Sequence, residues 1–148
     1  MLYPYKVFCG NTELIMLWED CKSGGDRFVV SRYPGRIIAF SSMEDVKQYA
    51  IDKQLDVSWD ETGTLDLNWF DNTLASLRPG RKCSVDTCEI LLEGWNFLED
   101  FFRTLSLDIT ALKSDELRRP YEKIFYGNNL SSITPMVKST SRYLTWMK

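Results

Sequence analysis

The chain has 148 residues, 44% of them hydrophobic and 14% aromatic, with a formal net charge of −3 and no histidine. That length and apolar content predict a soluble globular protein with its own core, and no apolar run approaches the roughly 20 residues that cross a bilayer. The missing histidine excludes Ser-His-Asp and Cys-His catalysis and His-bearing zinc sites, leaving carboxylate, lysine, tyrosine or lone-thiol chemistry.

Tyr5–Cys9 and Glu13–Trp18 are β-rich runs separated by Gly10-Asn11, a pair that turns a hairpin. The second run, Leu14 to Trp18, is apolar without alternation, the pattern of a central strand covered on both faces. Cys21 to Asp26 reads as a flexible connection. Phe28–Val30 and Ile37–Phe40 flank Pro34-Gly35, where proline presets φ and glycine takes the positive φ of a type II turn. A second hairpin is expected there. Ser41-Ser42-Met43-Glu44 then has capping-box spacing, with a hydroxyl to accept an early N–H and the glutamate reaching back. The helix it starts places Met43, Val46, Tyr49 and Ala50 inward and Glu44, Asp45, Lys47, Asp52 and Lys53 outward. Four strands and a helix are thus predicted for the first half.

Beyond Leu55, Val57–Trp59 and Thr64–Leu67 read as short strand-like pieces. Trp69–Leu77 reads as a short helix closed by Pro79-Gly80, with Arg78, Arg81 and Lys82 complementing its negative end. Ser84–Leu105 is the long helix. Ser84 caps it, Asp86 and Glu89 suit its first turns, and Cys88, Leu91, Leu92, Trp95, Leu98, Phe102 and Leu105 form a stripe predicted to pack on the sheet. Gly94 inside it costs about 1 kcal/mol relative to alanine and suits close approach by a neighbouring element. Ile109–Arg118 and a segment from Pro120 to just before Gly127 read as further helices, with Leu117, Tyr121, Ile124 and Phe125 apolar. From about residue 128 a Ser-, Thr- and Asn-rich stretch predicts a flexible, partly docked tail. The expected architecture is a single α+β domain, a mainly antiparallel sheet from the N-terminal half packed against C-terminal helices.

Cys9, Cys21, Cys83 and Cys88 contain no Cys-x-x-Cys pair, so no metal site is expected; Cys9 and Cys88 read as small buried hydrophobes in a reducing cytosol. Gly24-Gly25 lacks both nucleotide-loop spacings, and no cofactor is expected. The N-terminus lacks a basic region followed by a long apolar one, which predicts a cytoplasmic protein.

Charge is unevenly spread. Between Val57 and Thr110 ten acids face four bases, a net of −6, whereas Ala111 to the end carries +4. An overall negative chain disfavours nucleic acid as a direct partner and favours a cationic protein. The stripe of Arg118, Arg119 and Lys123 is small enough to be the solvated face of a helix.

Recognition is expected between Trp59 and Asp71. No cation lies between Lys53 and Arg78, while Asp56, Asp60, Glu61, Asp66 and Asp71 alternate with Trp59, Leu65, Leu67, Trp69 and Phe70. Acids that speed encounter, beside tryptophans that supply affinity, suit docking onto a basic and partly apolar partner. The competing reading makes Trp59, Trp69 and Phe70 core and the acids their solvated backs. The candidate contacts are Trp59, Asp60, Glu61, Asp66, Trp69 and Asp71. Glu19 and Asp20, at a strand end, form a second patch; neighbouring carboxylates on an extended chain point to opposite faces and do not converge.

Two stretches resemble a known family. GRIIAFSSMEDVKQYAIDKQL resembles the strand, F-x-S-x-x-D turn and helix of small bacterial immunity proteins paired with contact-dependent growth inhibition toxins, and YEKIFYGNNLSSITP resembles their Gly-Asn-Asn-Leu…Thr-Pro segment. Together they span about a quarter of the chain. The resemblance implies a non-enzymatic cytoplasmic antitoxin that binds the C-terminal domain of one cognate toxin, commonly a nuclease, and blocks its active site or substrate entry. It transfers no binding residues, since each member tracks its own toxin. A nuclease cleft is cationic, so an acidic ligand can occupy it as a substrate mimic. Two other readings fit the residues: an intracellular protein-binding regulatory or adaptor module, and a small carboxylate-dependent enzyme using Glu19, Asp20 or Asp26.

Overall fold

The computed structural model describes residues 1–33, 35–78, 83–108, 110, 114–116, 118, 121 and 122. Its elements are β1 (Leu2–Cys9), β2 (Thr12–Glu19), β3 (Arg27–Phe28), α1 (Met43–Asp52), β4 (Gly63–Asp66), α2 (Leu67–Ser76) and α3 (Val85–Thr104). They make an α+β fold with two compact units. Met1–Leu67 and Leu98–Asp108 form the first; Asn68–Phe97 and the described residues beyond 109 form the second.

The first unit holds a four-stranded mixed sheet in the order β3-β2-β1-β4. The β1–β2 hairpin closes with Cys9 opposite Thr12, leaving Gly10-Asn11 as a two-residue turn. Gly10 has φ +60° while Asn11 has no positive φ, as in a II′ turn with glycine at its first central position. β2 is interior to the sheet, and Ile15, Met16 and Leu17 are all buried, as the unalternating run predicts. Ile15 and Leu17 pack with Val46, Ala50 and Val57, so α1 covers one face. On the other face the register places Tyr3, Tyr5 and Val7 beside Trp18, Met16, Phe28 and Leu65. There the Tyr5 and Phe28 rings meet edge-on at 5.6 Å, and the last turns of α3 reach the strands. The Trp18 indole donates to Asp100 Oδ2 at 3.0 Å. Thr104 Oγ1 accepts the Phe28 N–H at 2.8 Å, satisfying an outward-facing donor of the edge strand β3.

α1 starts at Ser42, whose hydroxyl accepts from Asp45 N at 3.2 Å and donates to Asp45 Oδ2 at 2.8 Å. The acid of the cap is therefore Asp45, three residues into the helix, rather than Glu44. Ser42 and Asp45 are also the polar pair of the F-x-S-x-x-D stretch, which here serves as a helix start. Val46 and Ala50 are buried, and Met43 and Tyr49 pack at the rim, as predicted.

The expected second hairpin is looser than a hairpin of strands. β3 is two residues long, and Ile37–Phe40 forms isolated bridges: Ile37 with Val30, and Phe40 with Ile15 of β2. The fourth strand comes from Gly63–Asp66 and runs parallel to β1. Val57 makes an isolated parallel bridge with Leu2. Cys9, expected inside, is exposed, because it is the last residue before the turn. Cys88 is buried.

In the second unit Leu77, Cys88, Leu91 and Leu92 form a core with Phe70, Leu74, Cys83 and Tyr121 at its margin. Within this unit the first half of the long helix's stripe packs with Phe70 and Leu74 of α2. Gly94 is the point of closest approach, since a Cβ there would enter the Phe70 ring. α2 begins two residues before the predicted Trp69 and carries no buried residue of its own. Arg78 Nη1 donates to the Ala75 and Leu77 carbonyls, completing the helix end as its charge predicts. Ser84 Oγ accepts from Thr87 N and so caps α3.

Pro79-Gly80, Arg81, Lys82 and the tail from about residue 128 lie outside the described residues, as does most of the two helices expected after Ile109. Of those, Asp115, Glu116, Arg118, Tyr121 and Glu122 are helical. The Tyr121 hydroxyl donates to Asn96 Oδ1, and its ring lies 5.5 Å from that of Trp95. Among the described residues no helix is long and apolar enough to cross a membrane.

Candidate protein-binding surface

The acidic aromatic segment leaves the sheet at a defined place. Val57 lies opposite Leu2 and Gly63 opposite Tyr5, so six steps of chain on one side match three steps of β1. The surplus, around Trp59 to Thr62, bulges outward. Pro4 explains the position. The Leu2 carbonyl accepts from Ser58 N at 2.9 Å, so the backbone groups of Leu2, and of every second residue after it, face this neighbour. Pro4 is the next of them and has no N–H to give, and proline inside a sheet is tolerated where the ladder bulges. The Pro4 side chain is fully buried, so proline also fills space in the core.

Trp59 is 39% exposed on this bulge, with Lys47 Nζ of α1 at 5.9 Å from its ring centroid. Asp60 and Glu61 beside it are exposed. Asp66, at the end of β4, is half-buried.

Glu19 and Asp20 join this neighbourhood. Glu19 lies opposite Leu2, and Leu2 lies opposite Val57, so the end of β2 and the start of the bulge share one end of the sheet. The sequence presents them as two patches 40 residues apart; the register brings them together. Asp56 belongs to the same end. Glu19 pairs with Arg27 at 3.6 Å. Asp20, Asp56, Asp60 and Glu61 make no ion pair with a described residue. This end of the sheet and the bulge that leaves it therefore carry Asp20, Asp56, Asp60 and Glu61, none in an ion pair with a described residue, and a partly exposed indole.

Trp69 and Asp71 are on α2, in the second unit. Two positions apart on a helix, they point about 200° from each other. Trp69 is 64% exposed and Asp71 is exposed, whereas Phe70 between them turns onto Gly94. The alternatives for the aromatics thus divide by residue: Phe70 packs inside, and Trp59 and Trp69 face solvent.

A polar cluster in the first unit was missed in reading the sequence. Arg103, in the last turn of α3, donates to Glu99 at 2.7 Å, to Asp100 at 2.8 Å and to the Asp26 carbonyl at 2.8 Å. The Asp26 carboxylate accepts from Cys21 N, closing the loop between β2 and β3. Gly25 in that loop has φ +81°, and a Cβ there would collide with the Arg103 guanidinium, so the position needs glycine twice over. Burial holds the Asp100 carboxyl above its usual range, against the Trp18 and Arg103 hydrogen bonds that lower it. Asp26, a carboxylate considered for catalysis, is here a loop clasp. Glu99 and Asp100 at three- and four-residue spacing before an arginine were the signal for this cluster.

No protein-family model and no curated protein matches the chain. A solved structure, that of the SatS C-terminal domain in complex with bromine, is similar in fold, with a TM-score of 0.51 at 18% identity, over 99% of this chain and 88% of the other. At that identity the similarity concerns the fold alone.

Proposed function

We propose that this protein is a cytoplasmic immunity protein that binds the C-terminal domain of a cognate toxin, a nuclease, and blocks its active site or substrate entry. The observation that carries this reading is that the exposed Trp59 bulge, with Asp60 and Glu61, leaves the same end of the sheet as Asp20 and Asp56, and these four acids have no ion-pair partner among the described residues. Unpaired surface carboxylates accelerate encounter with a cationic partner, and an indole that becomes fully covered on binding supplies affinity. A nuclease cleft offers the matching charge, because it is built to hold phosphates. Binding of this kind needs no cofactor.

The test is co-expression with the product of the neighbouring gene, native co-purification and rescue of growth. Within that complex, reversing charge at Asp60, Glu61 and Asp66 together should slow association about 10-fold or more, with the largest effect at low salt. Trp59→Ala should act mainly on dissociation, by about 2 kcal/mol. Unchanged association of a folded triple variant would remove this surface from the proposal.

A further inference from the structure

Between Asp26 and Glu44 the chain contains Arg27, Arg32 and Arg36 and no acid. Arg27 is engaged with Glu19. Arg32 and Arg36 are exposed, and neither makes an ion pair with a described residue. Their guanidinium carbons lie 5.0 Å and 5.9 Å from the centroid of the Tyr33 ring, which is itself 54% exposed. Arg32 Nη2 also donates to the Tyr33 hydroxyl at 3.0 Å.

The tip that carries these groups is tied to itself. Ser31 Oγ accepts from Tyr33 N at 3.1 Å and donates to Tyr33 O at 3.2 Å. Ser31 N donates to the Arg36 carbonyl at 2.8 Å, and the Val30–Ile37 bridge closes the base. Guanidinium groups resting on an aromatic ring lose rotamer freedom in advance, which lowers the cost of binding, and after the Arg32–Tyr33 hydrogen bond each still has donors to offer. Two exposed arginines are thus held on one tyrosine, in a chain of net charge −3, with no carboxylate of a described residue paired to either.

We propose that this tip is a docking point for a carboxylate-bearing protein segment, with Arg32 and Arg36 each taking a carboxylate through two parallel N–H···O bonds. The geometry favours carboxylates over a nucleic acid. Two guanidinium groups release few counterions from a polyanion, and the ring that would stack on bases already has two cations against it. The proposal concerns a different surface, and a partner of opposite charge, from the toxin reading.

The test is a titration of the full ¹⁵N-labelled chain with a short Glu- and Asp-rich peptide, and separately with oligothymidylate of equal formal charge. The peptide should shift the amides of residues 31–33 and 35–37 and the Nε–Hε signals of Arg32 and Arg36. Its apparent affinity should fall about tenfold in Arg32→Ala/Arg36→Ala. Arg32→Lys/Arg36→Lys should lose nearly as much, because an ammonium keeps the charge but not the planar fork. An unchanged amide spectrum elsewhere shows that each variant is folded. Absence of shifts at the tip, full affinity in the lysine variant, or stronger binding of the oligothymidylate there would each overturn the proposal.

Discussion

Replacing Gly94 by alanine sets two effects of opposite sign against each other. Gly94 lies in the interior of α3, where alanine is favoured over glycine by about 1 kcal/mol from backbone entropy alone. An unobstructed site would therefore gain stability. The Phe70 ring, however, occupies the place of the new Cβ, and the contact extends to the ring carbon nearest the backbone, so moving a flexible tip does not relieve it. Overpacking of this kind costs about 1–3 kcal/mol. Gly94 is buried and Phe70 belongs to the surrounding core, which leaves little room for the ring to retreat. We expect a net loss of about 1 kcal/mol, lowering the melting temperature by about 2–4 °C for a chain of this length. Urea unfolding followed by tryptophan fluorescence measures it. Phe70→Leu in the same background should recover much of the loss, giving a coupling energy of about 1 kcal/mol in a double-mutant cycle. A single variant stabilised by the full propensity gain, or a cycle without coupling, would refute the close-approach argument.

α1 and α3 both end with a residue at positive φ that is not glycine, Gln54 at 54° and Ser106 at 55°. Each completes the paired terminal bonds, Gln54 N to Ile51 O with Leu55 N to Ala50 O, and Ser106 N to Arg103 O with Leu107 N to Phe102 O. Gln54→Gly and Ser106→Gly should each stabilise by about 0.5–1 kcal/mol in thermal or urea denaturation, whereas alanine at the same sites should not. Burial, reinforced by Cys83, pushes the Cys88 thiol up to about 12, and Cys9 is exposed. An aromatic disulfide reagent near neutral pH should modify Cys9 first and reach Cys88 only on unfolding, as mass mapping of the labelled peptides would show. Because burial raises the Asp100 carboxyl in the folded state, its contribution to stability is greatest on the acid side and is lost as pH rises through the folded value. The unfolding free energy of the wild type should therefore gain on that of Asp100→Asn as the pH falls toward the ordinary value of 3.8; a parallel pair of curves would contradict this.

Local signals were legible wherever they were strong and short-ranged. The Gly10-Asn11 turn, the Ser42 and Ser84 caps, the buried faces of Val46 and Ala50 and the arginine at the end of α2 all follow from spacing and residue type. What failed depended on distant partners. Ile37–Phe40 has the composition of a strand, but Phe40 bridges Ile15, and the place beside β1 is filled from 63–66, because β1 runs parallel to that segment. For the first half of the long helix, periodicity gives a buried face and not its partner, and Phe70 and Leu74 of α2 supply one. Trp69 and Phe70 are neighbours with the same hydrophobic weight, and only the 100° step of the helix separates one outward from one inward. Pro4 was readable in principle: a proline within a strand asks where the adjoining ladder breaks.

That break bears on how folding and recognition are divided. A loop inserted into a regular ladder would sacrifice hydrogen bonds that the sheet needs, and its side chains would be selected for packing as well as for contact. Beside Pro4 no N–H is available on that side, so the chain can depart between Ser58 and Gly63 without leaving that strand donor orphaned. The core cluster under α1 rests on Ile15, Leu17, Val46, Ala50 and Val57, and Val7, Met16, Phe28 and Leu65 are buried as well; none of these lies on the bulge. Asp60 and Glu61 are exposed and form no ion pair with a described residue, so exchanging them should leave stability within about 0.5 kcal/mol. Trp59 touches the scaffold through Lys47, a contact worth about 0.5–1 kcal/mol at an exposed site. The surface can therefore diverge in charge and shape while the sheet beneath it stays fixed, which the proposed immunity role would require of a binding surface that follows a changing toxin.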